Sequence, residues 1–318
     1  MTEQSFGYRT TALQAIANID LSGRNAVVTG AYSGVGLETV RALASAGATV
    51  TIACRDLQKA QHTATELNAE FGQQRVLAAQ LDLGSLASVK AFTEHYLTAH
   101  HTLELLINNG AIMACPFEHT VDGFESQFGV NYMGHFALTN QLLPALIAAD
   151  SARVVCLSST GHFLSPVVFE DIQFEQRDYH PWKSYGQSKT ACSLLAVALQ
   201  DRYSEQGIEA FAVHPGGIMT TLQRYMSKDD ITSRGWVDEQ GQVNKAFKSV
   251  QEGASTSVWA ATSAALKGSG GSYLEDCGIA AVHSAMPASR NGVMDYAVDV
   301  AQANKLWDLS EQWLAERS

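Results

Sequence analysis

Charge, proline and cysteine are all scarce in this chain. Charged residues make up 17% of its 318 positions, prolines number 6 and cysteines 5. No Pro/Gly/Ser-rich linker, composition break, internal repeat or low-complexity tract divides it. One large domain over 23–318, after an extension over 1–22, is the expected organisation. The extension carries a short amphipathic stretch, Thr10 to Ile19, read as a covering helix or a frayed terminus. The cysteines (Cys54, Cys115, Cys156, Cys192 and Cys277) are odd in number, scattered and mostly inside apolar runs. That excludes a disulfide framework and suits buried thiols in a reducing cytoplasm. No cysteine or histidine spacing matches a zinc site, so no metal is expected. No apolar run approaches the roughly 18 residues of a membrane span, and the first 22 residues lack the apolar core of a signal peptide. A formal net charge of −11 argues against nucleic acid or an anionic membrane as partner. These absences leave a cytoplasmic protein acting on a small molecule.

What the chain does have is alternation. Short apolar, β-branched runs fall at Asn25–Thr29, Thr49–Cys54, Val76–Leu81, Leu103–Asn108, Arg153–Ser158, Ile208–Val213 and Ser272–Leu274. Helical stretches fall near 35–46, 57–71, 85–99, 121–148, 182–206, 248–265 and 298–316. The strands are apolar almost throughout, as parallel strands covered on both faces require. The pattern predicts an α/β fold: a doubly wound parallel sheet of about seven strands with helices on both faces. Ligands then bind beyond the carboxyl ends of the strands, and the informative residues do follow strands. A glycine turn, Thr29-Gly-Ala-Tyr-Ser-Gly-Val-Gly36, follows the first. Arg55, Asp82, Asn108-Asn-Gly-Ala111, Ser158-Ser159 and Pro215-Gly216 follow the next five.

The glycine turn suits a dinucleotide. Gly30 permits the tight bend, Gly34 lets backbone N–H groups approach a pyrophosphate, and Gly36 lets the helix pack on the strand, with the helix N-terminus facing the phosphates. After the second strand, Arg55 has the fork geometry for a 2′-phosphate. Asp56 beside it could instead reach a ribose hydroxyl or cap the next helix. The balance favours NADP(H) over NAD(H).

Tyr-x-x-x-Lys occurs twice. Pro181 separates Tyr179 from Lys183 and breaks a helix interior, which puts that pair in a loop or at a helix start. Tyr185 and Lys189 open an uninterrupted helical run and share a face at i and i+4. A free phenol titrates near pH ~10. A neighbouring ammonium and a cationic nicotinamide both favour the phenolate, bringing such a pair toward acid–base work at neutral pH.

These motifs resemble the short-chain dehydrogenase/reductase family over about residues 23–285. The matches are Thr29-Gly-x-x-x-Gly-x-Gly36, Asp82, Asn108-Asn109-Gly110, Asn131, Ser159, Tyr185-x-x-x-Lys189 and Pro215-Gly216. Cys54-Arg-Asp, Ile107-Asn-Asn-Gly-Ala-Ile-Met and Ser158-Ser-Thr-Gly-His are similar to its retinol-dehydrogenase-like and WW-domain-oxidoreductase-like branch. The resemblance implies a Rossmann-type oxidoreductase with Asn131, Ser159, Tyr185 and Lys189 as catalytic set. Ser33, Gly34, Val35 and Gly36 would meet the phosphates, and Asp82 with Leu83 the adenine. Asn109 and Gly110 would border the cofactor, and Asn108 would steady the sheet. Pro215, Gly216, Ile218 and Thr220 would approach the nicotinamide end, and Asn131 would anchor a water relaying to Lys189. Strand alignment picks Ser159 as the substrate-holding serine, while the spacing to Gly161 suits Ser158. The family's usual Asn-Asn-Ala-Gly reads Asn108-Asn-Gly-Ala111 here. Family members often pair through the tyrosine helix, leaving a homodimer or homotetramer open. Phe163, Phe169, Phe174 and Trp182, in the long stretch before Tyr185, could cover an apolar substrate or pack on the surface. The implied activity is hydride transfer between nicotinamide and a ketone, aldehyde or secondary alcohol. The other readings are an idle cofactor-binding scaffold and an epimerase or dehydratase on the same sheet.

Overall fold

The computed structural model describes residues 6–317; the first five residues of the N-terminal extension lie outside them. Seven short apolar runs form parallel strands: β1 (Asn25–Thr29), β2 (Thr49–Cys54), β3 (Val76–Gln80), β4 (Leu105–Asn108), β5 (Ala152–Leu157), β6 (Ile208–His214) and β7 (Tyr273–Glu275). The sheet order is β3-β2-β1-β4-β5-β6-β7, and an eighth strand, β8 (Gly278–Ile279), pairs antiparallel on β7. The chain first builds outward from β1 to β3, then returns to β1's other edge with β4. The strand order reverses between β1 and β4, and a crevice opens there beyond the carboxyl ends.

β8 exceeds the expected count of about seven. Its hairpin turns through Asp276 and Cys277, both left-handed at φ 51° and 57°. Asp-Cys is not the Asn-Gly or Asp-Gly pair that announces such a turn, so nothing local marked it. The helix expected over 121–148 also differs. Gly123, at φ 84°, sits in a turn. Glu125 caps a three-residue helix, Ser126–Phe128, and a five-residue π turn, Gly129–Met133, leads into the helix Gly134–Ala148. The stretch over 248–265 is split into Val250–Gly253 and Ser255–Thr262. Strand bounds elsewhere moved by one or two residues.

Helices cover both faces. One layer packs the helix Ser255–Thr262 and the glycine-turn helix Gly34–Ser45 over Val28, Ile52, Ile107 and Phe211, all fully buried. Ala12, Ala15 and Ile16 of the N-terminal extension are buried in the same layer. The other layer holds Gly134–Ala148, the tyrosine helix Pro181–Tyr203 and the C-terminal helix Val300–Glu316. The C-terminal helix lies against the tyrosine helix. Its Trp307 meets Phe136 at 4.9 Å and Tyr203 at 5.8 Å, and Ser310 Oγ is 2.9 Å from the Tyr132 hydroxyl.

Trp307 is 1% exposed and bridges both helices beneath it. Trp307→Ala is expected to lower unfolding free energy by about 3–5 kcal/mol, the usual cost of deleting a buried large aromatic. Denaturant unfolding measures it.

Candidate active site

The ends of β1 and β4 meet at the crevice. Gly30 is left-handed at φ 64°, and a Cβ there would stand 2.8 Å from Gly110 Cα. A Cβ on Gly110 would stand 2.9 Å from Leu83 Cδ1, the end of a flexible side chain. Thr29 Oγ1 accepts the backbone N–H groups of Asn109 (2.9 Å) and Gly110 (2.8 Å). Asn109 Nδ2 donates back to the Thr29 carbonyl at 2.7 Å. A Cβ at Gly36 would collide with that amide at 2.6 Å. The glycines thus let β1, β4 and the first helix touch. The helix begins at Gly34, and the Ser33 hydroxyl at its N-cap position makes no cap bond. The N–H groups of Val35 and Gly36 are therefore without intrahelical partners, as a first turn requires. Across the turn, Thr220 Cγ2 is 3.4 Å from where a Gly34 Cβ would lie.

The end of β2 resolves one ambiguity of the sequence. Asp56 caps the helix Leu57–Phe71, accepting from Lys59 N at 3.1 Å, and pairs with Lys59 Nζ at 3.0 Å. The Lys59 ammonium, followed by the cap bond to Lys59 N, holds the Asp56 carboxyl below the usual range. Arg55 is exposed and makes no hydrogen bond or ion pair among the described residues. Tyr32, Arg55, Lys59 and Gln80 are among the residues around a cavity of ≈ 470 Å³. Asp82 turns the chain after β3, its carboxylate accepting from Gly84 N at 2.9 Å.

The second half of the site is built on the tyrosine helix. Pro181 occupies its first turn and His180 caps it, so Tyr179 lies outside the helix. The Tyr179 hydroxyl bonds the Cys115 carbonyl and Gln127 Nε2, each at 2.9 Å, and burial raises its pKa. Tyr185 is 4% exposed and its hydroxyl makes no hydrogen bond among the described residues. Lys189 Nζ donates to the Leu157 carbonyl at 2.9 Å and stands 5.8 Å from the Tyr185 ring centre. The two serines separate. Ser158 Oγ donates to the Lys189 carbonyl (2.8 Å) and accepts from Ser193 Oγ (2.9 Å). Ser159 Oγ is partly exposed and only accepts, from Gly161 N at 3.0 Å, which leaves its proton uncommitted. A Cβ on Gly161 would stand 2.7 Å from Tyr185 Cε1 and 3.4 Å from Ser159 Oγ, so both flank that glycine.

Asn131 lies in the π turn, a distortion frequent at functional sites. Its side chain clasps the Ile112 backbone through two 2.9 Å bonds and donates to Ser188 Oγ at 2.9 Å. Its carbonyl is near His135 Nδ1 (2.8 Å) and the Cys192 thiol (3.1 Å). Asn108 Nδ2 donates to Thr139 Oγ1 at 3.0 Å. Pro215 and Gly216 follow β6. A Cβ on Gly216, at φ 99°, would stand 2.7 Å from Lys248 Cδ, and Ile218 bridges to Lys248. Trp182 meets Tyr185 edge-on at 6.1 Å, Trp236 meets Trp182 at 6.1 Å, and Phe247 meets Trp236 at 5.8 Å. Phe163 and Phe174 are buried, and Phe169 packs against the core.

Sequence reasoning missed three residues here. His135 has a signal, its i+4 spacing from Asn131. Thr29 has its place in the motif. Lys248, whose side chain is fully buried and 2.5 Å from Asp276, has none.

A sequence profile described as short chain dehydrogenase matches residues 24–231. The chain belongs to the short-chain dehydrogenase/reductase family. The short-chain dehydrogenase/reductase prx1 of Penicillium roqueforti is 38% identical over 314 residues, covering 96% of this chain and 90% of its own. Mouse retinol dehydrogenase 12 is 38% identical over 293 residues, covering 92% and 87%. A solved structure from Mycobacterium paratuberculosis superposes with a TM-score of 0.72 at 33% identity, covering 96% and 98%. The chain is therefore a dehydrogenase/reductase enzyme of a family that binds nicotinamide cofactors. Among the described residues, no helix is long and apolar enough to cross a membrane.

Tyr179 is tied into structure rather than presented to the site. Tyr179→Phe leaves the Cys115 carbonyl and Gln127 amide short of a partner and is expected to cost about 1–3 kcal/mol of stability. Thermal unfolding should register that loss while kcat changes little.

Proposed function

We propose that this enzyme uses NADP(H) to interconvert a ketone or aldehyde and an alcohol on an apolar substrate, with Tyr185 moving the proton. The observation that carries this reading is the contrast within the site. Tyr185 and Ser159 have uncommitted hydroxyl protons and both flank Gly161, whereas Tyr179 and Ser158 are fully engaged. The bound nicotinamide supplies or accepts the hydride. Ser159 donates to the substrate oxygen and holds it against Tyr185. In reduction the Tyr185 hydroxyl gives that oxygen its proton. The ammonium of Lys189, fixed by the Leu157 carbonyl, stabilises the negative charge left on the phenol oxygen. A water relaying a proton toward Lys189 belongs at the Asn131 carbonyl, where the weakly donating Cys192 thiol is the partner it would replace.

For the cofactor, Ser33 and the free N–H groups of the first helical turn suit a pyrophosphate. Asp56 is occupied as a cap, whereas unpaired Arg55 and nearby Lys59 suit a 2′-phosphate. Thr220, opposite Gly34, is placed for the nicotinamide end. Trp182, Trp236 and Phe247 extend an aromatic wall from Tyr185, favouring a planar or bulky apolar substrate.

Tyr185→Phe should lose about 10²–10⁴-fold in turnover with NADPH binding largely kept. Ser159→Ala should lose about 10²-fold or more in kcat, and Ser158→Ala much less. Steady-state assays of NADPH oxidation against a panel of ketones decide both. Full turnover in a folded, NADPH-binding Tyr185→Phe protein would refute the mechanism and favour the scaffold reading. The reverse serine ranking would reassign the substrate contact.

The unaltered protein should prefer NADPH to NADH, and Arg55→Asp should flatten or reverse the preference. Equal or better kcat/KM with NADH in the unaltered protein would remove the claim.

A further inference from the structure

His135 joins the two halves of the site from beneath. It is 2% exposed. Its Nε2 stands 2.8 Å from Thr29 Oγ1, and its Nδ1 stands 2.8 Å from the Asn131 carbonyl oxygen. Proton counting gives each bond its direction. Thr29 Oγ1 already accepts from Asn109 N and Gly110 N, so both lone pairs are used and its single proton is left to donate. The Asn131 carbonyl can only accept. Nδ1 therefore carries the imidazole proton, and Nε2 accepts from Thr29. Burial, aided by the nearby Lys189 charge, pushes the His135 pKa down to about 4, so the ring stays neutral at ordinary pH.

The chain of bonds continues into the tyrosine helix. Asn131 donates to Ser188 Oγ, and its carbonyl also receives the Cys192 thiol; both partners lie within Pro181–Tyr203. His135 thus stands between the backbone that closes the glycine turn and the residue that grips the helix bearing Tyr185.

We propose that His135 is a positioning residue that sets the Tyr185 helix relative to the glycine turn through its Nδ1–H bond to the Asn131 carbonyl. The inference rests on the reading of Tyr185 as proton donor. Of its two bonds, the one to Asn131 matters more. Thr29 has a second acceptor, the Ile107 carbonyl at 3.5 Å. Besides His135, the side-chain donor at the Asn131 carbonyl among the described residues is the weakly donating Cys192 thiol.

Three substitutions separate the bonds. His135→Asn keeps a donor where Nδ1 stood, His135→Gln keeps an acceptor where Nε2 stood, and His135→Phe keeps only the shape. Measured with NADPH and the best ketone found, kcat should fall about 10- to 100-fold in His135→Gln and His135→Phe, the scale of a small misplacement of reacting groups. His135→Asn should restore most of it. NADPH dissociation constants, read by nicotinamide fluorescence, should stay nearly constant across the three. A His135→Gln protein as active as the parent overturns the proposal, as does His135→Asn as impaired as His135→Phe. Parallel losses of kcat, NADPH affinity and melting temperature in all three would make the role merely structural and overturn it too. If the variants do not fold, ¹⁵N-imidazole spectra of the unaltered protein decide. They should show Nδ1 protonated and no titration between about pH 5 and about pH 9. An Nε2–H tautomer overturns the proposal. Tyr185→Phe is measured alongside. Full turnover there removes the proton-donor reading, while the imidazole spectrum and the Asn/Gln contrast still report on His135.

Discussion

The close approach of β1 to β4 is the constraint on which the site depends. Gly30 faces Gly110 with no room for a side chain of its own. That contact lets a single hydroxyl, Thr29 Oγ1, accept both backbone N–H groups at the end of β4. It also brings the Asn109 amide under Gly36. With a larger residue at Gly30 the strand ends would part, and the helix N-terminus would no longer overlook the crevice. The switch in strand order supplies the crevice, and the glycines supply its depth.

Around that contact the polar groups divide sharply. Asn131, Ser158 and Tyr179 are each committed to two or more partners, Asp56 is committed to the backbone and side chain of Lys59, and all four hold backbone in place. Ser159, Tyr185, Ser33 and Arg55 keep a donor unspent. A buried polar group without a partner is costly, and Asn131, Ser158, Tyr179 and Asp56 are tied off by the fold.

Most of the architecture was legible because it rests on local chemistry. β1 and β2, and the helix Leu57–Phe71, fall where apolar runs and caps predicted them. Pro181 between Tyr179 and Lys183 indicated which tyrosine shares a face with its lysine, because ring and missing N–H act within one helical turn. Legibility failed where the cause was distant or lacked a local mark. The π turn at Gly129–Met133 interrupts a run that reads as continuous helix. The β7–β8 turn uses Asp-Cys in left-handed backbone that neither residue announces.

The sequence by itself determined the family, the doubly wound sheet and the identity of the residues beyond its strands, because periodicity, glycine and proline act over a few residues. Only the tertiary structure decided between alternatives that look equal in one dimension. Whether Ser158 or Ser159 keeps a free proton depends on partners such as the Lys189 carbonyl, 31 residues beyond Ser158. The same holds for His135. Its i+4 spacing hints at Asn131, but the Thr29 hydroxyl on its other ring nitrogen comes from β1, far along the chain. A hydrogen bond is set by where its partner sits in space, and chain order does not carry that information.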